Sequence, residues 1–139
     1  MYTDGDMQYD IVEFGPYLSL LETNDIISGY AITKAVSPRR KIQSMVYNIL
    51  VFFLFGVWYR DANCSMKIYA RRVLQAIEIK STSAFIDAEM LIRARRKGFR
   101  VGQFPVHHMP RRAGVAHGSK FGVVAGTIRD MLLFRLGLL

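Results

Sequence analysis

Hydrophobic and polar positions switch between a helical and an alternating period along the chain, which predicts helices and strands in turn. Asp10-Ile11-Val12-Glu13 places an acid at a helix N-cap with Glu three residues later, the pattern of a capping box. Gly15-Pro16 interrupts it, so one helical turn and then a helix from Pro16 to about Glu22 are expected. Residues 25–30 (DIISGY) read as a short strand. Ser37-Pro38 supplies a cap and a first helical residue for a long helix reaching about Tyr59. A brief strand is expected from Ser65 to Tyr69, then a helix from Ala70 to about Ile79. Between Phe85 and Lys97 the helical pattern is strong: Ile86, Met90 and Ala94 share a face, bases crowd the last turn and Gly98 stops it. Phe99 to His107 reads as a strand in which Pro105 marks an edge or a strand end, residues 109–120 as a loop, and Phe121 to Leu139 as a further helix. This order predicts an α/β layered fold.

Composition narrows the picture. A chain of 139 residues that is 51 % apolar is one domain with a sizeable core. A single Cys excludes an internal disulfide framework and a multi-Cys zinc site. No run of eighteen apolar residues suggests a transmembrane helix, and the acidic opening is unlike a signal peptide. The net charge of +8 conceals an asymmetry. Residues 1–33 contain acids and no Lys or Arg, and all 19 bases follow. An acidic entry beside a basic remainder suits a cation site next to an anion-binding surface, while a solvated basic face is the plainer reading.

Asp4-Gly5-Asp6-Met7-Gln8 is the sharpest local feature. Two carboxylates one residue apart on a loop can turn toward one hard divalent cation, and Gly5 permits close backbone approach. The spacing alone is common in polar loops. Its context is an ordered set of further stretches: Ile27-Ser28-Gly29-Tyr30; Arg39-Arg40 with Tyr47-Asn48; Arg60-Asp61-Ala62-Asn63-Cys64-Ser65-Met66-Lys67; Asp87-Ala88-Glu89-Met90-Leu91 with Arg93-Ala94; and Val106, His108, Pro110, Arg111, Gly114. Together these resemble glycosyltransferase family 2, especially the dolichyl- and polyprenyl-phosphate sugar transferases. Ala31 stands where many such transferases carry Arg, so a phosphate contact is either absent or supplied by Lys34, and Ser65 replaces a usual Gly.

The resemblance implies a GT-A-type, Rossmann-like three-layer fold, here partial, with an incomplete sheet and flanking helices. It makes residues 1–120 the C-terminal part of a catalytic domain and 121–139 an amphipathic C-terminal helix. About 60–90 residues of βα units that bind the nucleotide are expected ahead of the acidic loop. It also implies a nucleotide-sugar donor and Mg²⁺ or Mn²⁺ held by Asp4, Asp6 and Gln8. Arg39, Arg40 and Arg111 are the candidates for the acceptor phosphate, since guanidinium forks match phosphate oxygens. Asp6, Asp87 and Glu89 carry the catalytic role, the last two as bases for a hydroxyl acceptor. Asp61 and His108 support the site.

The plainer readings stand beside these. Cys64 reads as a small buried residue. His107 and His108 point to opposite faces of a strand, so they are no metal pair, and His107 and His117 are given no role. Arg93, Arg95, Arg96 and Lys97 read as a solvated helix end. The helix through Met45 to Tyr59 admits three readings: a core helix, a helix lying at a membrane surface, or a packing surface for a partner. The function expected is metal-assisted, inverting sugar transfer to a lipid phosphate at the cytoplasmic face of a membrane. The alternative is a non-catalytic relative serving as a membrane-surface or anion-binding module. A nucleic-acid partner is not expected, because no recognised motif accompanies the charge. A homo-oligomer through exposed apolar helices stays open.

Overall fold

The computed structural model describes residues 1–5, 7–34, 37–110 and 121–139, apart from the Lys34 side chain. β1 (Ile26–Lys34) is the middle strand of a three-stranded sheet. β2 (Lys67–Tyr69) flanks it antiparallel and β3 (Val101–His108) parallel. The helices are α1 (Pro38–Phe55), α2 (Arg71–Ala76), α3 (Ile86–Arg96) and α4 (Phe121–Arg135), and a 3₁₀ segment spans Ile11–Glu22. The α/β layered fold read from the sequence is the one found, and its open, small sheet is that of a partial Rossmann-like layer.

Successive β1 residues point to opposite faces, and each face has its own core. Ile26 meets Tyr69, Val73 and residues of the helices, among them Val51, Leu91 and Phe134. Ile27 joins Phe14, Cys64, Met66, Phe104 and Val106 under the 3₁₀ segment. The sheet is therefore sandwiched between helices and that segment. Gly29 is required by a close approach: a Cβ there would lie 3.1 Å from both Cys64 Sγ and Met66 Cβ. Cys64 is buried, as expected.

Several sequence expectations are corrected. Asp10 does cap Val12 N at 3.0 Å, but Glu13 does not close the box. Its carboxylate instead accepts from His107 N at 2.8 Å, with the His107 ring 3.4 Å away, so His107 has a structural part after all. The 3₁₀ segment runs through Gly15-Pro16 without a break, because Phe14, Tyr17 and Leu20 all reach the sheet. α1 stops at Phe55, where Gly56 takes the left-handed conformation (φ 68°) and its N–H returns to Phe52 O. Only Val51 of α1 is buried, while Ile42, Met45, Val46, Ile49, Phe52 and Phe53 lie exposed. One face of that helix packs into the core through Leu50, Val51, Leu54 and Phe55, and the opposite face is exposed. Among the described residues no helix is long and apolar enough to cross a membrane. Finally, Arg93 and Arg96 are not simply solvated: each guanidinium lies 4.8 Å from the Phe134 ring, fixing α4 against α3.

Candidate active site

The acidic loop leaves the sheet from a single antiparallel bridge. Tyr2 N donates to Lys67 O at 2.8 Å and Lys67 N to Tyr2 O at 3.0 Å. The backbone then turns outward through exposed Asp4 and Gly5, where an added Cβ would meet nothing within 4 Å. Met7 occupies the left-handed region (φ 54°), a conformation that costs a non-glycine residue roughly 1–2 kcal/mol. Gln8 brings the chain back inside. Its carbonyl accepts from Met109 N at 2.8 Å and its Nε2 donates to Met109 O at 3.1 Å. Tethers at Tyr2 and Gln8 thus hold the strained turn between β2 and the end of β3. Asp6 lies outside the described residues.

Below this loop sits Lys67, the last residue of the Arg60–Lys67 stretch, to which the sequence reading gave no role. Lys67 is fully buried, and its Nζ donates to the Cys64 carbonyl and to Asp87 Oδ1, the latter at 2.7 Å. Asp87 projects from the first turn of α3. Burial pushes its carboxyl above the usual range; Lys67 opposes the rise, and Asp4 and Asp61 add to it. Among the described residues, Asp87, Asp4 and Asp61 therefore share one neighbourhood with the buried Lys67 ammonium group. Burial, together with Asp87 and Asp4, also drives the Tyr2 hydroxyl up to about 12.

Asp61 is positioned from α1. Asn48 Nδ2 donates to Arg60 O and its Oδ1 accepts from Ala62 N, both at 3.1 Å, so the amide grips the chain on either side of Asp61. Arg60 stacks over the Tyr30 ring at 3.9 Å and braces the same turn. A cavity of about 360 Å³ opens beside it between α1 and α4. Arg40, Tyr47, Asp61 and His108 form polar parts of its lining, and Leu50, Val124, Ile128 and Met131 supply apolar wall. Among the described residues the buried Tyr47 hydroxyl has no hydrogen-bond partner. Burial, and then the charges of Asp87 and Asp61, push its pKa well up, so it stays a neutral donor. Tyr9, edge-on to His108 with ring centroids 5.2 Å apart, lines the cavity as well.

The remaining candidates divide. Arg40 reaches the cavity lining and Arg39 is exposed beside it at the start of α1. Arg111, together with Arg112 and His117, lies outside the described residues. Glu89 points away from the acidic cluster. It is fully buried, accepting from Ser81 N at 2.8 Å, Lys80 N at 3.1 Å and Arg93 Nε at 2.6 Å. That carboxylate anchors the chain ahead of α3. Among the described residues no three His, Cys, Asp or Glu side chains converge closely enough to hold a metal ion. The signal that could have revealed Lys67 was its place between Met66 and Ile68, a charge in a short strand whose neighbours are apolar.

Comparison with known proteins gives these features a setting. The chain is 38 % identical over 77 residues to glycosyltransferase AglD of Haloferax volcanii, covering 53 % of this chain and 12 % of that protein. It is 27 % identical over 113 residues to a dolichyl-phosphate hexose transferase of the same organism, covering 78 % and 49 %. With a dodecaprenyl-phosphate galacturonate synthase of Rhizobium johnstonii it shares 30 % over 124 residues, covering 86 % and 35 %. The chain thus spans half or less of the length of these relatives. No protein-family model and no solved structure matches it. The ordered motifs, the α/β layers and these alignments agree: the chain is a sequence relative of the polyprenyl-phosphate sugar transferases.

Proposed function

We propose that this chain supplies the catalytic core of an inverting glycosyltransferase that moves a sugar from a nucleotide-sugar donor to a polyprenyl or dolichyl phosphate. The observation that carries the reading is the sharing of residues between two features. Asp61 and Tyr47 line the cavity and both stand in the electrostatic neighbourhood of Asp87, on which Asp4 also bears. A ligand with an anionic head and an apolar tail suits such a cavity, and the relatives named for dolichyl and dodecaprenyl phosphate support that class. Arg40, with Arg39 and Arg111, is the source of positive charge for the head. The exposed apolar face of α1 beside Arg39, Arg40 and Lys41 suits a position at the cytoplasmic surface of a membrane.

The acidic loop fits Mg²⁺ or Mn²⁺ by its donor chemistry: Asp4 stands exposed on a turn with open space at Gly5, and carboxylate oxygens are what such ions take. Asp4, Asp6 and Gln8 would hold the ion, which neutralises the charge gathering on the departing nucleoside diphosphate. Asp87 receives the acceptor's proton, whether from a hydroxyl or from a singly protonated phosphate. Its raised pKa matches that task. The acceptor oxygen bonds to the anomeric carbon as the sugar–diphosphate bond breaks on the opposite side, and a single displacement inverts the centre.

The test is transfer from labelled nucleotide sugars to polyprenyl phosphate by the natural polypeptide that carries this sequence. Lipid-linked product that requires Mn²⁺ or Mg²⁺, and falls about 100-fold or more in Asp4→Ala, supports the proposal. Absence of transfer with every common donor overturns it. Transfer that survives chelation overturns the metal part alone.

A further inference from the structure

Lys67 is fully buried and charged, and no sequence motif assigned it a task. Every group it bonds belongs to a different part of the proposed site. Its main chain pairs with Tyr2, from which the Asp4 loop departs. Its ammonium group holds the Cys64 carbonyl at the end of the turn that begins at Asp61. The same group holds Asp87 Oδ1 at 2.7 Å across the gap to α3. The Tyr2 ring packs 5.9 Å from the Nζ, closing the site of the charge from above.

A buried ammonium, with three donors and no acceptor, is costly unless paired. A core position in β2 would be filled more cheaply by Met or Leu, as its neighbours Met66 and Ile68 illustrate. What an apolar residue cannot do is hold a carboxylate at fixed distance among two other acids. Asp4, Asp61, Tyr2, Tyr47 and Tyr69 are the ionisable groups that bear on Asp87 besides Lys67. Among the described residues, Lys67 is the cation of this group.

We propose that Lys67 is a positioning residue: it fixes the Asp87 carboxylate against the segments that carry Asp4 and Asp61, and so orients the base of the transfer. The inference rests on the function proposed above, and its test separates the two. In the natural polypeptide, Lys67→Arg keeps the charge but displaces the carboxylate by the length and planarity of the guanidinium. It should lower kcat at least tenfold with donor KM within twofold, and Lys67→Met should lower kcat further. Equal kcat in wild type and Lys67→Arg overturns the proposal. A loss confined to KM overturns it too, because a merely supporting residue would weaken binding and leave the step itself alone.

A second measurement needs no activity. The Lys67 ammonium should give a slowly exchanging ¹⁵Nζ resonance in wild type that is lost or broadened in Asp87→Ala. Its absence in wild type, or its persistence unchanged in Asp87→Ala, overturns the pairing whatever the outcome of the transfer assay. A protein that shows the resonance but transfers no sugar retains the Lys67–Asp87 hold and refutes the proposed function.

Discussion

Asp87 and Glu89 stand two residues apart in the first turn of α3 and live in opposite environments. A step of two residues turns about 200° around a helix, so the two carboxylates leave on opposite sides. Asp87 meets one ammonium group and the fields of two further acids, and burial raises its pKa. Glu89 is more deeply enclosed, and burial pushes it up as well, yet hydrogen bonds from Ser81, Arg93 and Lys80 outweigh that and hold it below its ordinary range. Burial alone therefore does not decide the direction in which each pKa moves. The count of donors does: a carboxylate saturated by N–H groups is an anchor, and one held by a single cation among acids keeps its capacity for a proton.

Four outcomes break or sharpen this contrast. The largest is expected from Glu89→Ala, which strands the Arg93 guanidinium and the Lys80 and Ser81 N–H groups. A loss of about 3–5 kcal/mol in urea unfolding is expected, with the whole fold affected. Asp87→Asn, which keeps the shape and an acceptor for Lys67, should cost far less stability while transfer by the natural polypeptide falls about 10²–10⁴-fold. If instead Asp87→Asn unfolds the chain and Glu89→Ala silences a stable one, the assignments are reversed.

The pH dependence of stability provides the third test. Glu89, with its pKa lowered, stabilises the fold above its ordinary value of 4.5, and that contribution disappears as pH falls through the lowered pKa. Asp87, raised above 3.8, acts with the opposite sign. Between 3.8 and its folded pKa the native state binds the extra proton, so stability falls as pH rises through that window. Comparing Glu89→Gln and Asp87→Asn with wild type by thermal melts from pH 3 to 8 should give difference curves of opposite slope. Asp25 serves as a reference of the Glu89 kind. The Arg100 N–H at 2.8 Å and the Arg72 guanidinium lower its pKa. Asp25→Asn should cost about 1–2 kcal/mol at neutral pH and little in acid.

The smallest effect tests the seam between β1 and the turn that ends at Lys67. Gly29→Ala must push Cys64 and Met66 aside by a few tenths of an ångström. A cost of about 1–2 kcal/mol in urea unfolding is expected. No cost would mean that Cys64 and Met66 give way freely at this approach.

The elements were legible because their signals are local. The middle of β1, the start of α1 at Pro38, the end of α3 before Gly98 and the edge strand with Pro105 follow from period, caps and breakers within a few residues. The D-x-D loop and its companions stood out for the same reason, as did the burial of Cys64. The sequence also separated His107 from His108 by the alternation of a strand. It could not tell Asp87 from Glu89, since both fit one short motif equally well.

Sequence by itself, then, determined which segments are helix and strand, that they alternate into layers, and which kind of transferase the chain resembles. Tertiary structure alone decided that Glu13 leaves its own helix for β3, that Arg93 and Arg96 clasp Phe134, and that Lys67 lies beneath the acidic loop. The reason is one of range. Caps and periodicity act over one or two turns of chain, whereas the partners of a buried charge come from segments such as Tyr2, Cys64 and Asp87, brought together only when the sheet closes on its helices.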